Sequence, residues 1–242
     1  MRYKLTVSYD GYNYMGFQIQ NELDTIELEL MIAFNKLLNV DVKIYPSGRT
    51  DRYVHANGQV CHVDLNMEIP EYGLIKGLNA YLPNDIYIKE VEKVNEDFHA
   101  RFSAIKKEYR YYINIKEYNP LTIKYLPYIP NLNIEAMKEA VELLIGTHDF
   151  KGFASASLDE RTPTIKTIYS IDIINHGDKL EFIFIGNGFL KYQIRRMMAL
   201  LISIVQYKET KEKILQLYET KEKQMHYRNT PGCGLYLYRV DY

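Results

Sequence analysis

The sequence is poor in cysteine, contains no long apolar run and carries almost no net charge. Its 242 residues include two cysteines, Cys61 and Cys233. Neither has a zinc-ligand partner at the usual spacing, since the nearby His62 would point to the opposite side of a strand from Cys61. A disulfide framework and a structural zinc site are therefore not expected. The longest apolar run, residues 197–205, is far shorter than the roughly 20 residues that cross a bilayer.

The composition is that of an ordinary globular protein. Hydrophobic residues make up 47% and charged residues 25%, and the mean hydropathy is −0.31. The first nine residues alternate polar with apolar side chains, as a strand does and a signal peptide does not, so we expect a cytoplasmic protein with no membrane anchor. Because 30 basic side chains balance 31 acidic ones, a nucleic acid would have to bind at a local basic patch.

The apolar periodicity predicts the same order of elements twice, namely strand, helix, two strands, helix and strand. Asp24 followed by Glu27 predicts the start of the first helix, whereas Asn133 and Gly146 predict the cap and the stop of the helix in the second half. The predicted elements are strand 2–9, helix 25–38, strand 40–45, strand 58–65, helix 71–80 and strand 86–94, then strand 105–115, helix 133–145, strand 164–174, strand 179–186, helix 190–206 and strand 235–242.

This duplicated order predicts an α+β fold of two ferredoxin-like βαββαβ modules with antiparallel sheets. Each module would pack its two helices on one face of its sheet. We place the modules at residues 1–100 and 101–242. A further charged helix at about 209–220 would be a solvated surface helix.

The loop at residues 47–56 concentrates arginine, aspartate and histidine. In a purely structural loop, Thr50 and Asp51 would cap their own backbone. In a functional loop, Asp51 would act as nucleophile or general base, with Arg49 or Arg52 keeping its carboxylate ionised. The spacing alone leaves both interpretations open.

Basic residues cluster in two other segments. In the first they lie among tyrosines, and in the second they lie at the start of a predicted helix. On predicted strand 105–115 they alternate with tyrosines, an arrangement suited to stacking a base and neutralising its phosphate, although a chain with 23 tyrosines yields such a strand by composition alone. The basic residues at the start of helix 190–206, taken alone, favour a solvated helix face. The residues are Lys106, Lys107 and Arg110 on the strand, and Lys191, Arg195 and Arg196 on the helix.

Signatures of nucleotide cofactors and of metal sites are missing from the sequence. The segment Gly186-Asn187-Gly188 lacks the third glycine of a dinucleotide fingerprint, and no P-loop occurs. No two histidines lie four residues apart, as a helical metal site requires. We expect neither a cofactor nor a metal.

A set of short segments, spread over nearly the whole chain, forms a co-linear pattern. They are Tyr9-Asp10-Gly11, Gly16-Phe17-Gln18, Gly48-Arg49-Thr50-Asp51, Val54-His55-Ala56, Gly58-Gln59-Val60, Leu78-Asn79-Ala80, Phe98-His99-Ala100-Arg101-Phe102, Tyr109-Arg110-Tyr111, Gly188-Phe189-Leu190 with Arg195, and Gly234-Leu235-Tyr236-Leu237. In this order they resemble the TruA family of tRNA pseudouridine synthases.

The resemblance implies an isomerase, free of cofactor and metal, that converts uridine to pseudouridine in the anticodon stem–loop of tRNA, at positions 38–40. It also implies the pseudouridine synthase fold, in which two ferredoxin-like modules enclose a central basic cleft, and a homodimer that embraces the tRNA.

Residue by residue, the resemblance implies that Asp51 is the catalytic aspartate and Arg195 the basic residue paired with it. Tyr109 would stack on the target base, and Arg49 is the arginine of the catalytic motif. The uridine must be flipped out to reach Asp51, whether this carboxylate attacks C1′, attacks C6 or removes a proton. Because the net charge is −1, the cleft must take its positive charge from Arg49, Arg52, Arg101, Lys106, Lys107, Arg110, Lys191, Arg195 and Arg196.

The pair Arg52-Tyr53 departs from the family pattern, which usually has glycine as the second residue. A glycine there often means a positive φ or a close approach to a ligand. We expect Tyr53 instead to pack against the loop with an ordinary negative φ. Two alternatives remain, a degenerate synthase that binds tRNA without turnover, and a non-catalytic RNA-binding protein of ferredoxin-like fold, whose RNP1 pattern this sequence lacks.

Overall fold

The computed structural model describes residues 1–20, 23–221 and 229–242. Its contacts divide the chain into two compact units. The first unit comprises Met1–Ile105 and Tyr236–Tyr242, and the second comprises Lys106–Leu235. The chain thus separates after residue 105, and its last residues return to the first unit, which differs from modules at 1–100 and 101–242.

Strands and helices cover most of the described residues, and the order in the first half is βαββαβ. Among the described helices, none combines the length and apolar character that a membrane crossing requires. The elements are β1 (Arg2–Tyr9), α1 (Ile26–Leu38), β2 (Tyr45–Pro46), β3 (His55–Asp64), α2 (Glu71–Tyr81), β4 (Ile86–Val94), β5 (Lys106–Asn114), α3 (Ile134–Glu142), β6 (Gly146–Asp149), β7 (Ile165–Asn175), β8 (Lys179–Gly186), α4 (Gln193–Val205), α5 (Glu212–Thr220) and β9 (Leu235–Asp241).

The sheet of the first unit has the split βαβ arrangement. β1 lies between β3 and β4, and β2 pairs with β3, all antiparallel. β9 then joins the start of β3 as a parallel neighbour, through His55 and Tyr236 and through Ala56 and Leu237. Strand 235–242 was predicted to complete the second module. Its alternation reveals a strand but not its partner, and here the parallel ladder with β3 places it in the first unit's sheet.

One face of this sheet forms the core of the first unit. Successive residues of β1 alternate between complete burial and half-burial, because successive side chains of a strand point to opposite faces. α1 and α2 add their apolar stripes to the buried face. The core residues of these three elements include Tyr3, Leu5, Val7 and Tyr9 of β1, Ile26, Leu30 and Phe34 of α1, and Leu74 and Leu78 of α2.

The second unit contains an antiparallel sheet in the order β5-β8-β7-β6. α4 is apolar over most of its surface and almost entirely buried. The predicted cap Asn133 is confirmed, since its side chain accepts a hydrogen bond from the Ala136 N–H at 3.1 Å. β6 was not predicted, because Gly146, taken only as the helix stop, is also its first residue.

Two further predictions in the first unit are wrong in detail. Thr25, not Asp24, caps α1, because the Thr25 hydroxyl lies 3.4 Å from the Leu28 N–H that it accepts from. Of predicted strand 40–45, only residue 45 lies in a strand. Val42 and Ile44 are buried, so the alternation that suggested a strand reflects burial of their side chains without a backbone ladder.

Candidate active site

The loop that carries Asp51 is held by backbone hydrogen bonds at both ends. Ser47 N–H donates to the Val60 carbonyl at 2.7 Å, which ties the start of the loop to β3. Val54 N–H donates to the Asp51 carbonyl at 3.1 Å, so residues 51–54 form a tight turn. The backbone around Asp51 is therefore fixed by the sheet on one side and by its own turn on the other.

Buried side chains hold the middle of this loop. Gln59 is completely buried, donates from Nε2 to the Gly48 carbonyl at 2.8 Å and accepts from the Ser47 hydroxyl at 2.9 Å. The hydroxyls of Tyr9 and Thr50 share a 2.8 Å hydrogen bond. Burial raises the pKa of the Tyr9 phenol, so this group stays neutral. These polar groups satisfy one another inside the protein and immobilise the residues before Asp51.

Two glycines let the N-terminal segment pass directly under the loop. A Cβ atom on Gly11 would lie 2.0 Å from the Val54 carbonyl oxygen, where no side chain fits. Gly16 has a φ of +102°, and a Cβ atom there would lie 2.9 Å from the Thr50 oxygen. Both glycines lie far from the Asp51 loop in sequence, and they allow the backbone of the N-terminal segment to pack directly against it.

Asp51 is half-buried, whereas Arg49 and Arg52 on either side of it are exposed. The structure gives no ion pair of Arg49 or Arg52 within the described residues, and the hypothesis that one of them keeps Asp51 ionised stays a prediction. The guanidinium of Arg52 instead lies 4.4 Å from the centre of the Tyr53 ring.

Tyr53 adopts a φ of 68°, in the left-handed region. The expectation of an ordinary negative φ is therefore wrong, because the tight turn that follows Asp51 demands the backbone conformation that glycine adopts most easily. The ring nevertheless packs, with its centre 5.4 Å from that of Tyr12. The loop combines a glycine-like backbone with an aromatic side chain.

His55 links the loop to the N-terminal segment, a role that sequence reasoning missed. It is almost completely buried at the start of β3, and its Nδ1 lies 2.9 Å from an Asp10 carboxylate oxygen and 3.2 Å from the Gly11 nitrogen. Its ring stacks on Tyr236 at 4.6 Å. The occurrence of both His55 and Asp10 within the short motifs was the available signal.

The second unit holds Tyr109 and Arg195. Tyr109 lies on β5, mostly buried, with Phe189 edge-on to its ring at 5.3 Å. Arg195 lies on α4, half-buried, and its Nε donates to the Thr230 carbonyl at 2.8 Å. Both side chains are oriented by residues of the second unit, and the guanidinium of Arg195 also lies 5.4 Å from the Tyr192 ring.

The remaining basic residues fall into two groups. Arg110 pairs with Glu108 at 2.7 Å and with Glu181 at 2.8 Å, and Arg196 donates to the Ala154 carbonyl, so these two cations serve internal contacts. Burial lowers the pKa of Arg196. The other predicted patch residues are Arg101 and Lys191, which are exposed, and Lys106 and Lys107, which are half-buried on β5.

In the ranges that the structure describes, no three His, Cys, Asp or Glu side chains gather closely enough to hold a metal ion. The predicted site residues are a carboxylate, arginines and an aromatic ring, distributed over the two units. Such a set can supply a nucleophile or base, ion pairing and stacking.

Comparisons with known proteins agree on one family. A family model described as tRNA pseudouridine synthase matches residues 5–103 and 140–242. A tRNA pseudouridine synthase A of an Exiguobacterium species is 41% identical over 100% of this chain and 98% of its own length. The enzyme of the same name from Anoxybacillus flavithermus is 40% identical with the same coverage, and that of Oceanobacillus iheyensis is 41% identical over 100% of this chain and 96% of its own. The chain belongs to the tRNA pseudouridine synthase family.

Proposed function

We propose that this chain isomerises uridine to pseudouridine in tRNA, with Asp51 as the catalytic carboxylate. The supporting observation is the way in which the loop presents Asp51. The residues that precede it are fixed by Gln59 and Tyr9, and a turn fixes those that follow, while Asp51 itself is only half-buried. A carboxylate held in one position and open to a ligand is what covalent or base catalysis requires.

The reaction rearranges one bond and needs no redox step. The bond from C1′ to N1 breaks, the freed uracil turns in its pocket, and a bond from C1′ to C5 forms. The proton on C5 leaves and N1 gains a proton, so the product is an isomer of the substrate. Asp51 supplies a carboxylate that can attack the sugar or the base and that can accept the C5 proton.

Tyr109 and Arg195 are the proposed partners of Asp51. The ring of Tyr109 would stack on the flipped uracil and replace the neighbours that the base loses, a contact worth about 1–3 kcal/mol per base. Arg195 would orient the Asp51 carboxylate and keep it ionised. Its Nε–H donates to the Thr230 carbonyl at 2.8 Å, a contact that holds the guanidinium in one orientation.

We further propose that the substrate region is the anticodon stem–loop and that two copies of the chain bind one tRNA in the cytoplasm. Exposed cations that form no ion pair within the described residues would contact its phosphates. These cations are Arg49, Arg52, Arg101 and Lys191.

The test of catalysis is release of tritium from tRNA that carries [5-³H]uridine. Asp51→Asn retains the side-chain shape but removes the charge, so we expect tritium release to fall below detection while tRNA binding, which depends on phosphate contacts, stays near that of the unmodified protein. Asp41→Asn is the control, because Asp41 is an exposed aspartate of the same unit. Turnover by Asp51→Asn at a tenth of the original rate or more would contradict the assignment. Binding without turnover by the original protein would favour the non-catalytic RNA-binding alternative.

A further inference from the structure

Four aromatic rings form a continuous series in the first unit, which begins at Tyr45, two residues before the Asp51 loop. Tyr45 of β2 lies flat on His62 of β3, with ring centres 4.7 Å apart and planes within 8°. His62 meets His99 at 4.7 Å, and His99 meets Phe102 at 4.4 Å. We call this series, Tyr45, His62, His99 and Phe102, the aromatic ladder.

The ladder is held in place by backbone contacts. Nδ1 of His62 accepts a hydrogen bond from the Ala100 N–H at 3.1 Å, and Nδ1 of His99 accepts one from the Arg101 N–H at 3.1 Å. Burial, with Arg2 nearby, lowers the pKa of His62 to about 4, so this ring is neutral at pH 7. The rings are thus positioned before any ligand arrives, which reduces the entropy lost on binding.

The Phe102 end of the ladder is exposed, and a cation lies over the terminal ring at each end. Phe102 is 76% exposed, which is unusual for a large apolar side chain and leaves much of its ring open to solvent. The guanidinium of Arg101 lies 5.7 Å from the centre of that ring, and Nζ of Lys43 lies 4.9 Å from the centre of the Tyr45 ring. In the described parts of the chain, neither cation pairs with a carboxylate.

The ladder shares a sheet face with the end of the Asp51 loop. β1 pairs its buried Tyr9 with Ala56 and its half-exposed Lys4 with His62. His55, the neighbour of Ala56, therefore points away from the core, and so does His62. These two histidines are seven residues apart on β3, or roughly 23 Å at about 3.3 Å per residue. His55, Val60 and His62 are all buried, so the ladder is open to a ligand at Phe102 and not along this stretch of β3.

We propose that the aromatic ladder is a second RNA-binding site, at which an unpaired nucleotide of the tRNA stacks its base on Phe102 while Arg101 contacts the neighbouring phosphate. An exposed ring beside a cation that forms no ion pair in the described residues matches the two parts of a nucleotide, the flat base and the anionic phosphate. This inference rests on the proposed function, because it requires tRNA as the substrate.

Tryptophan fluorescence tests the stacking directly, since the sequence contains no tryptophan. Phe102→Trp introduces a single reporter that retains an aromatic face. Tyr72→Trp is the matched control, because Tyr72 is 74% exposed on α2 of the same unit. We expect unmodified tRNA to quench the fluorescence of Phe102→Trp in a saturable manner and to leave that of Tyr72→Trp unchanged.

A truncation measures the contribution of the ring to affinity. Phe102→Ala should weaken tRNA binding by about tenfold, the equivalent of about 1.4 kcal/mol, and raise KM with little change in kcat. Tyr72→Ala should change neither. Because the Phe102 ring is mostly solvent-exposed, its removal should leave the fold intact, and the melting temperature of Phe102→Ala checks this.

Two results would overturn the proposal: equal quenching, or none, in the two tryptophan variants, or tRNA affinity of Phe102→Ala equal to that of the unmodified protein. Quenching of Phe102→Trp that rises with protein concentration without RNA would assign the ladder to self-association instead. Tritium release by the unmodified protein, measured in parallel, separates failure of this inference from failure of the proposed function.

Discussion

Tyr53 shows how one residue can meet two demands of the Asp51 loop. Its φ of 68° gives the backbone the shape that the turn after Asp51 requires, and its ring lies between Tyr12 and the guanidinium of Arg52. A side chain with a Cβ atom in the left-handed region costs about 1–2 kcal/mol relative to the right-handed one. The ring contacts offset part of this strain.

Comparison of Tyr53→Gly with Tyr53→Ala separates the strain from the ring contacts. Both variants lose the ring, but only alanine keeps a Cβ atom at positive φ. We expect the free energy of unfolding of Tyr53→Gly to exceed that of Tyr53→Ala by about 0.5–1 kcal/mol, after allowing for the greater freedom of glycine in the unfolded chain. Urea unfolding followed by circular dichroism measures the difference in the free energy of unfolding.

Turnover of Tyr53→Gly bears on whether Tyr53 weakens catalysis. Glycine adopts the observed backbone without strain, so the position of Asp51 and the rate of tritium release should be retained. A many-fold rise in rate would instead identify the unmodified protein as a weakened synthase. Greater stability of the alanine variant would show that the observed φ is not strained.

The Asp51 loop could be identified from the sequence because arginine, aspartate and histidine are concentrated in ten positions. Which arginines form contacts within the protein could not be predicted. Arg110 finds Glu181 and Arg196 finds the Ala154 carbonyl, partners that are distant in the sequence and brought close only by the fold. Sequence gives the charge of a side chain, while its partners and burial decide whether that charge is available to a ligand.

Helix α1 offers a test at the scale of one element, since two adjacent residues are candidates for its cap. The structure assigns the cap to Thr25, whose hydroxyl accepts from the Leu28 N–H, and leaves Asp24 exposed. Thr25→Ala should lower the free energy of unfolding by about 1 kcal/mol, because the partly buried Leu28 N–H loses its acceptor. Asp24→Ala should change it by less than about 0.5 kcal/mol.

Thr25→Ser restores the hydroxyl and should recover most of the stability, which distinguishes capping from loss of the threonine methyl group. Urea midpoints of the three variants, compared at equal m-values, provide the measurement. A larger loss in Asp24→Ala than in Thr25→Ala would return the cap to the residue that the sequence pattern indicated.

Strands were predictable where alternation and pairing coincide, as in β1 and β4. Strands could not be predicted where alternation occurs without pairing, or pairing without alternation. Val42 and Ile44 alternate in burial without a ladder, and Gly146 starts a strand where it was expected only to stop a helix. The partner of β9 could not be predicted either, because parallel pairing with β3 joins residues 181 positions apart and leaves no mark in the local pattern.

At the scale of the whole molecule, a net charge of −1 means that tRNA affinity depends on where the cations lie. Acidic residues must be kept from the RNA, and the cations that bind it must not already be paired within the protein. Arg49, Arg52, Arg101 and Lys191 meet this condition within the described residues, whereas Arg110 does not.

Binding of tRNA should therefore weaken steeply as salt rises. Each phosphate neutralised releases condensed counterions and adds about 0.7–0.9 to the slope of log K against log salt, so four contacts per chain predict a slope of about −3. Arg49→Ala should make the slope shallower by about one contact. Lys138→Ala should not, because Lys138 is an exposed cation of α3 outside the proposed surface. Fluorescence anisotropy of labelled tRNA between low and physiological salt gives the slopes. A slope near zero, or an equal change in both variants, would contradict binding through this localised set of cations and would require a contact surface of different chemistry.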